Sequence, residues 1–208
     1  MDSISIFMDK LRNDVNRRIA AQTRELRAGL ALSLEALASR SGVSRSMISL
    51  IERGEASPTA VVLERLAWGL RVPLARLFDP PAGETAAPQP VVRRVDQLQW
   101  RDPASGYVRR NLSPPHWPSP LQIVEVEFPA GARVAYETGS RDPPVHQQVW
   151  VLSGTIQLTL GSEQYRLDPG DCLAMLLDRP VVYANRTRHA ARYVVVVSAE
   201  APLPRRAV

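Results

Sequence analysis

Arginine and serine side chains between residues 40 and 53 have the types and spacing that contact DNA. Arg45, Ser46 and Ser49 fall toward one face of a short predicted helix. Arginine can donate two hydrogen bonds to a guanine edge, and serine can contact several bases or phosphates. Arg40 and Arg53 flank this face and suit backbone phosphates, which add affinity rather than sequence information. The pattern predicts a surface for double-stranded DNA made of Ser44, Arg45, Ser46, Ser49, Arg40 and Arg53.

Two short helices joined by a turn are needed to present this face. Ser33 precedes an apolar-periodic segment that includes Leu37, so it is the predicted N-cap of the first helix. The turn follows at residues 41–43, where Gly42 is free to adopt positive φ. Ser44 caps the second helix, whose predicted buried side consists of Met47, Ile48 and Ile51. Such a helix enters the major groove of DNA with its N-terminal residues toward the base edges.

The run GVSRSMISLIERGEASPTAVVLERLAWGLRVPLARLF resembles the Cro/repressor-like (XRE) helix-turn-helix family of bacterial transcriptional regulators. The shared features are Gly42, the I-x-x-I-E-x-G pattern that ends at Gly54, Ser57–Pro58, and Leu70-x-Val72-Pro73-x-x-x-Leu77-Phe78. The resemblance spans about Asn16 to Phe78 and implies a five-helix bundle that binds DNA. It also implies that Glu52 pairs with Arg27 and so ties the recognition helix to the first helix. Family members often carry Gln at the start of the second helix, where Leu34 stands here, so that phosphate contact is expected to be lost.

The second half of the chain has the pattern of a β-domain. The segment PPAGETAAPQP has no periodicity and predicts a linker. Short apolar-alternating runs follow, of which LQIVEVEF (residues 121–128) is the clearest, and turn residues separate them. The predicted domains are residues 1–80 for the helix-turn-helix, 81–90 for the linker and 91–208 for the β-domain. Residues before Asn16 could form an additional amphipathic helix, whose role is either in packing or in the pairing of subunits.

The run VWVLSGTIQLTLGSEQYRLDPGDCLAMLLDRPVVYANRT resembles the cupin family, on the basis of Val151-Leu152-x-Gly154, Gly161, Pro169-Gly170-Asp171, Pro180 and Asn185. The whole chain is therefore similar to helix-turn-helix–cupin regulators. The implied fold class is an α + β multidomain protein, with a five-helix helix-turn-helix bundle followed by an all-β cupin (double-stranded β-helix) barrel.

Many cupins hold a metal through histidines and a glutamate, and this sequence departs from that ligand set. Ser140, Asp142, Gln147 and Val181 stand at the ligand positions, and the three histidines do not have the matching spacing. No metal and no cofactor are therefore expected. The polar candidates near a pocket mouth are His146, Gln147, Gln148 and Tyr183, which either contact a small effector or are ordinary partly buried residues.

Two further aromatic positions have alternative interpretations. His116 and Trp117 could cover the barrel mouth as a lid or lie in a simple crossing loop, and the loop is favoured. Trp150 is expected in the barrel core or at an interface.

The sequence argues against a membrane-spanning protein and against a secreted one. No apolar run is long enough to span a membrane, and the N-terminus lacks a signal-peptide core. A single cysteine, Cys172, cannot form an internal disulfide, which fits a cytoplasmic protein. The net charge of +5 permits nucleic-acid binding without establishing it.

The sequence predicts a non-enzymatic transcriptional regulator that binds a palindromic operator as a homodimer through the helix at residues 44–52. Its β-domain is expected to dimerise, to bind a small effector, or both. Two alternatives stay open. One is a cupin enzyme with a DNA-binding head, and the other is a protein-interaction module.

Overall fold

The computed structural model describes residues 3–80, 88–139 and 144–199, with side chains for residues 14–80, 88–139 and 144–198. The chain forms two compact units, residues 1–117 and 118–208. Most of the predicted linker, at residues 81–87, lies outside the described part of the chain, as do Ser140 and Asp142.

The first unit begins with four α-helices. They are α1 (Ser3–Gly29), α2 (Leu34–Ser41), α3 (Arg45–Glu52) and α4 (Ala60–Gly69), and a 3₁₀ helix (Leu74–Phe78) follows. The hydroxyls of Ser33, Ser44 and Thr59 cap α2, α3 and α4 by accepting a backbone N–H from the third residue on. None of the helices in the described residues combines the length and apolar character needed to cross a membrane.

The expected five-helix bundle was wrong in its helix count, since the described residues contain four α-helices. The fifth segment follows Pro73 and is five residues long, which suits the tighter 3₁₀ form. The segment before Asn16 is helical, and it is continuous with α1 rather than a separate helix.

Apolar side chains from every helix meet in the core of this unit. The most buried are Ile19, Leu37, Ile48, Ile51, Leu63, Leu66 and Leu77. Helices α2 and α4 cross closely at Gly69, where a Cβ atom would lie 2.9 Å from the Cβ of Ser41 and 3.0 Å from Cδ1 of Leu37. The crossing therefore requires glycine at residue 69.

A β-hairpin completes the first unit. Its strands β1 (Gln99–Arg101) and β2 (Val108–Asn111) are antiparallel, with Trp100 opposite Arg109. Trp100 is buried, and its ring centroid lies 5.7 Å from that of Phe78 and 5.8 Å from that of Tyr107. Residues 91–117 therefore belong to the first compact unit, and the domain bounds expected from the sequence stay a prediction.

The second unit is built from eight antiparallel strands. They are β3 (Leu121–Phe128), β4 (Arg133–Tyr136), β5 (Val145–Ser153), β6 (Ile156–Leu160), β7 (Glu163–Leu167), β8 (Cys172–Leu176), β9 (Val181–Ala184) and β10 (Ala191–Ala199). Within this unit, the strands of one sheet follow the order β3-β10-β5-β8, and those of the other sheet follow the order β4-β9-β6-β7. This is the strand order of a double-sheet jelly roll, an architecture that includes cupins. The strands form two sheets, and the closure of these sheets into a barrel stays a prediction.

Aromatic rings join the inner faces of the two sheets. Tyr183 of β9 stacks on Tyr193 of β10 at 6.0 Å between centroids, and Tyr136 of β4 packs edge-on against Tyr183. Gly154 turns the chain between β5 and β6 at φ +73°, and a Cβ there would lie 2.7 Å from the carbonyl oxygen of Ala190. The sheets thus enclose an aromatic, largely apolar interior.

Candidate DNA-binding surface

The turn between α2 and α3 is fixed by local hydrogen bonds. Gly42 has φ +67°, and its N–H donates to the carbonyl of Ala38. The Ser41 hydroxyl donates to the carbonyl of Leu37 at 2.7 Å and accepts from the N–H of Val43 at 3.2 Å. Val43 is buried beneath the turn. These contacts set the angle at which α3 leaves α2.

Helix α3 is tied to α1 by an ion pair. Arg27 Nε lies 2.6 Å from Glu52 Oε1, and Arg27 Nη2 lies 2.8 Å from Oε2, so the pairing is bidentate. Only 6% of the Glu52 side chain is exposed, and the hydrogen bond that Arg27 donates to this carboxylate raises the pKa of Arg27. Arg24 also donates to the Glu52 carbonyl. The predicted pairing of Glu52 with Arg27 is confirmed.

The outer side of α3 carries the predicted DNA-contacting residues. Ser44, Arg45 and Ser46 are exposed, and Ser49 is half-buried on the same helix. Arg40 at the end of α2 and Arg53 after α3 are exposed as well. The six predicted side chains therefore lie on α3, at its two ends or at the end of α2, and five of them are exposed.

One prediction for α3 was wrong. Ile48 and Ile51 are fully buried, but Met47 is 36% exposed. Successive helical residues turn by about 100°, and the buried arc is centred between Ile51 and Glu52, so Met47 falls outside it. Leu50, which sequence reasoning did not single out, is half-buried on the outer side.

Two of the predicted DNA-contacting arginines, Arg45 and Arg53, form ion pairs with acidic side chains. Arg45 Nε lies 2.6 Å from Glu35 Oε1, and both side chains are about two-thirds exposed. Arg53 pairs with Glu55 at 2.7 Å and also bonds the Ser49 hydroxyl. The hydrogen bond from Arg53 holds the pKa of the Glu55 carboxyl below its usual value. Both arginines therefore have carboxylate partners in this structure.

Residues 24–77 match the family model for the helix-turn-helix, HTH_3. These residues form a helix-turn-helix domain of that family. The match covers α2, the turn and α3, and the sequence-based expectation of this XRE-type domain is confirmed.

Two relatives extend the likeness beyond the helix-turn-helix domain. The HTH-type transcriptional regulator SutR of Escherichia coli (strain K12) is 28% identical over 172 residues, which cover 81% of this chain and 88% of that protein. A crystal structure of an HTH_3 family transcriptional regulator from Vibrio cholerae superposes with a TM-score of 0.72 at 24% identity, covering 91% of this chain and 99% of that one. The whole two-unit fold is thus similar to that regulator's fold.

A cupin domain of an XRE family transcriptional regulator from Enterobacter cloacae has a TM-score of 0.40 at 16% identity. It covers 46% of this chain and 98% of that one. A score at this level does not establish a shared fold. The jelly-roll strand order, rather than this superposition, describes the β-unit.

The four predicted effector residues do not share one pocket. Gln147 and Tyr183 are buried between the sheets, where the Gln147 amide donates to the Tyr183 hydroxyl. His146 and Gln148 lie on the opposite, outer face of β5. The reason is the two-residue period of a strand, which sends neighbours of Gln147 to the other side.

The β-unit does not fit the metal site of many cupins. Gln147 stands at the carboxylate position with its amide bonded to Tyr183, and Val181 stands at a histidine position. Among the described residues, no three His, Cys, Asp or Glu side chains are grouped to hold a metal ion. The residues at these positions therefore do not fit such a metal.

His116 and Trp117 lie at the end of the first unit. The Nδ1 of His116 lies 3.3 Å from Nη1 of Arg76 in the first unit, while Trp117 is 43% exposed. Trp150 is 49% exposed on the outer face of β5, which excludes it from the core, and Met175 is buried.

Proposed function

We propose that this helix-turn-helix transcriptional regulator binds a palindromic operator in double-stranded DNA as a homodimer and acts in the cytoplasm. The observation that carries the proposal is the placement of α3. Its inner side is locked to α1 through Glu52 and Arg27, and its outer side presents Ser44, Arg45, Ser46 and Ser49. A recognition helix must be held in place by its inner side and must expose polar side chains on its outer side.

Arg45 is the residue that we propose to contact a base edge. It lies in the first turn of α3, the part of a recognition helix that reaches the base edges, and its guanidinium can bond a guanine twice. Its exposed pair with Glu35 is worth little in water, so exchange for a guanine costs about 1 kcal/mol or less. Arg40 and Arg53 are the proposed phosphate contacts, which set register and affinity.

The β-unit is proposed to bind a small effector, to dimerise, or both. Every buried side chain on the eight strands that the structure describes is uncharged. Gln147 and Tyr183 are the polar groups there, and Tyr136 and Tyr193 supply ring faces. This interior suits an uncharged, partly aromatic effector rather than an anion, and Arg133, Arg186 and Arg188 are all exposed. An effector acts only if it binds one conformational state more tightly than another.

Two other functions remain as outcomes of experiment. A cupin enzyme with a DNA-binding head requires bound metal, which the residues at the ligand positions do not support. A protein-interaction module requires no salt-sensitive DNA binding. Metal analysis of the purified chain tests the first, and DNA titration tests the second.

The deciding experiment is fluorescence-anisotropy titration of the full chain against DNA from upstream of its own gene and a shuffled control, at two salt concentrations. Preferential binding that weakens with salt supports the proposal, because phosphate contacts release counterions. Arg45→Ala should lose about 1–3 kcal/mol and relax one base position. Arg166→Ala, an exposed ion-paired arginine of the β-unit, is the matched control and should bind as wild type. Absence of binding to any DNA at low salt refutes the proposal.

A further inference from the structure

The two compact units differ in net charge. Residues 1–117 contain 17 lysine and arginine residues and 12 aspartate and glutamate residues, a net charge of +5, whereas residues 118–208 contain nine of each kind. The whole net charge of the chain therefore belongs to the unit that contains α3. A positive surface raises the local concentration of a nucleic acid, and basic side chains contact its phosphates.

Part of this charge lies on the hairpin of β1 and β2 and on the segment just before it. Arg93 and Arg94 precede β1, Arg101 is the last residue of β1, and all three side chains are exposed. We name these three residues the hairpin arginines. Trp100 is buried, so alternation along the strand directs Arg101 to the outer side of the hairpin. There its Nη1 donates to the carbonyl oxygen of Gly106 at 2.9 Å, which places the guanidinium at the hairpin loop.

The hairpin arginines are not neutralised by ion pairs. Within the part of the chain that the structure describes, no acidic side chain pairs with any of the three. Several other exposed arginines do have acidic partners, namely Arg45 with Glu35, Arg53 with Glu55, Arg166 with Asp168 and Arg179 with Asp178. A phosphate can therefore bind the hairpin arginines without displacing a carboxylate, and arginine is a common phosphate contact in protein–DNA complexes.

The hairpin loop is attached close to the recognition helix. Asp102 follows Arg101 directly, and its carboxylate accepts a hydrogen bond from the backbone N–H of Ala60, the first residue of α4. Ala60 is seven residues after Arg53, which follows α3. An extended residue spans at most about 3.5 Å, so these two residues lie within about 25 Å of each other. One turn of DNA is about 34 Å long, so α3 and the hairpin loop fit beside each other within one turn.

We propose that the hairpin arginines contact phosphates of the operator DNA beside the bases that α3 contacts. This inference rests on the proposed function and adds to it a second DNA-contacting surface outside the helix-turn-helix. Phosphate contacts set the orientation of a protein on DNA and add affinity without reading sequence. The hairpin suits this role because its backbone is fixed to the helical part of the unit, through Trp100 packed on Phe78 and through Asp102 at the start of α4.

The test measures how the DNA affinity of the full chain depends on salt, on a duplex that wild type selects from a random library. Replacement of all three hairpin arginines with Ala should reduce the slope of log K against log salt concentration by at least about 2, because each phosphate contact contributes about 0.9. The preference for the selected duplex over a shuffled one should stay as in wild type, since phosphate contacts carry no sequence information. A slope equal to that of wild type overturns the proposal.

Two matched variants separate a phosphate contact from other effects. Replacement of Arg133, Arg186 and Arg188 with Ala removes the same charge from exposed positions of the second unit and should leave the slope unchanged. An equal fall in both triple Ala variants assigns the effect to net charge and overturns the proposal. Replacement of the three hairpin arginines with Lys keeps their charge and should keep the slope of wild type. A Lys variant that falls as far as the Ala variant would show that the arginines support the fold instead.

Ethylation of single phosphates locates the contact on the DNA. Ethylation removes the negative charge of a phosphate, so it weakens binding wherever the protein contacts that phosphate. A group of phosphates beside the bases that α3 contacts should interfere with binding by wild type and should no longer interfere with binding by the triple Ala variant of the hairpin arginines. An identical interference pattern for the two proteins overturns the proposal.

Arg45→Ala separates this inference from the proposed function. If Arg45→Ala relaxes one base position while the triple Ala variant of the hairpin arginines keeps the slope of wild type, the hairpin surface is wrong and the function stands. If the triple variant loses slope while Arg45→Ala reads every sequence as wild type does, the hairpin surface stands and the assignment of α3 is wrong. If wild type selects no DNA, both are wrong.

Discussion

The carboxylate of Asp102 accepts a hydrogen bond from the backbone N–H of Ala60 at 3.0 Å, across 42 residues of sequence. Ala60 is the first residue of α4, so a side chain from the hairpin helps to cap a helix of the DNA-binding unit. Asp102 is 2% exposed, and its other oxygen accepts from the backbone N–H of Ser105 at 2.9 Å. The carboxylate thus joins the loop of the hairpin to the start of α4.

Replacement of Asp102 with Ala should destabilise the first unit by about 1–2 kcal/mol, because it removes a buried cap and leaves the Ala60 N–H without this acceptor. Urea unfolding followed by the helical signal at 222 nm measures the loss. Asp96→Ala, an exposed acid just before the hairpin, is the control and should change stability little. Equal effects of the two substitutions would show that the cap contributes nothing.

Breaking the Arg27–Glu52 pair on one side should cost about 3 kcal/mol, since it leaves a largely buried guanidinium without its partner. Glu52→Ala should also weaken DNA binding, because α3 loses its anchor to α1. The double substitution Arg27→Met with Glu52→Leu should recover much of the stability, because neither a buried guanidinium nor a buried carboxylate is then left without its partner. A single variant as stable as wild type would contradict a structural role for the pair.

Glu35→Gln should strengthen operator binding by about two- to fivefold, because Arg45 no longer has to leave a carboxylate. The check is an anisotropy titration in a double-mutant cycle with Arg45→Ala. The gain should be smaller in the Arg45→Ala background, where only the general removal of negative charge remains. An equal gain in both backgrounds would assign the whole effect to long-range electrostatics instead.

Gly154→Ala should destabilise the β-unit by more than Gly170→Ala, by about 2 kcal/mol. Both glycines have positive φ, but only at Gly154 does a new Cβ meet backbone, 2.7 Å from the Ala190 oxygen and from Cα of Ala191. At Gly170 nothing lies within 4 Å of that position. Thermal unfolding of the two variants measures the difference, and similar melting temperatures would rule out the close approach.

The helix-turn-helix could be predicted in detail because its determinants are local. Ser33 and Ser44 were identified as caps from their place before apolar-periodic segments, and both cap in the structure. Periodicity failed at Met47, since one apolar residue at the edge of a buried arc carries no signal about which side it takes.

The extent of the first unit could not be predicted from sequence, because it depends on contacts such as Trp100 with Phe78 that no local pattern encodes. The orientation of the predicted effector residues on β5 could not be predicted from their residue types either. Buried and exposed residues alternate along β5 in the structure, so His146 and Gln148 face away from Gln147, whereas the residue types of VHQQVWV do not alternate in this way. The apolar outward positions of β3, Leu121 and Ile123, were readable but were taken only as evidence for a strand.

The grouping of the hairpin with the helices has a practical consequence for building chimeric sensors. A graft that exchanges the β-unit at the Pro-rich segment of residues 81–90 would give the new module Trp100 and Asp102 and leave the ring of Phe78 and the start of α4 bare. A graft made at Trp117–Pro118, where the two units divide, would keep Trp100 and Asp102 with the ring of Phe78 and the start of α4.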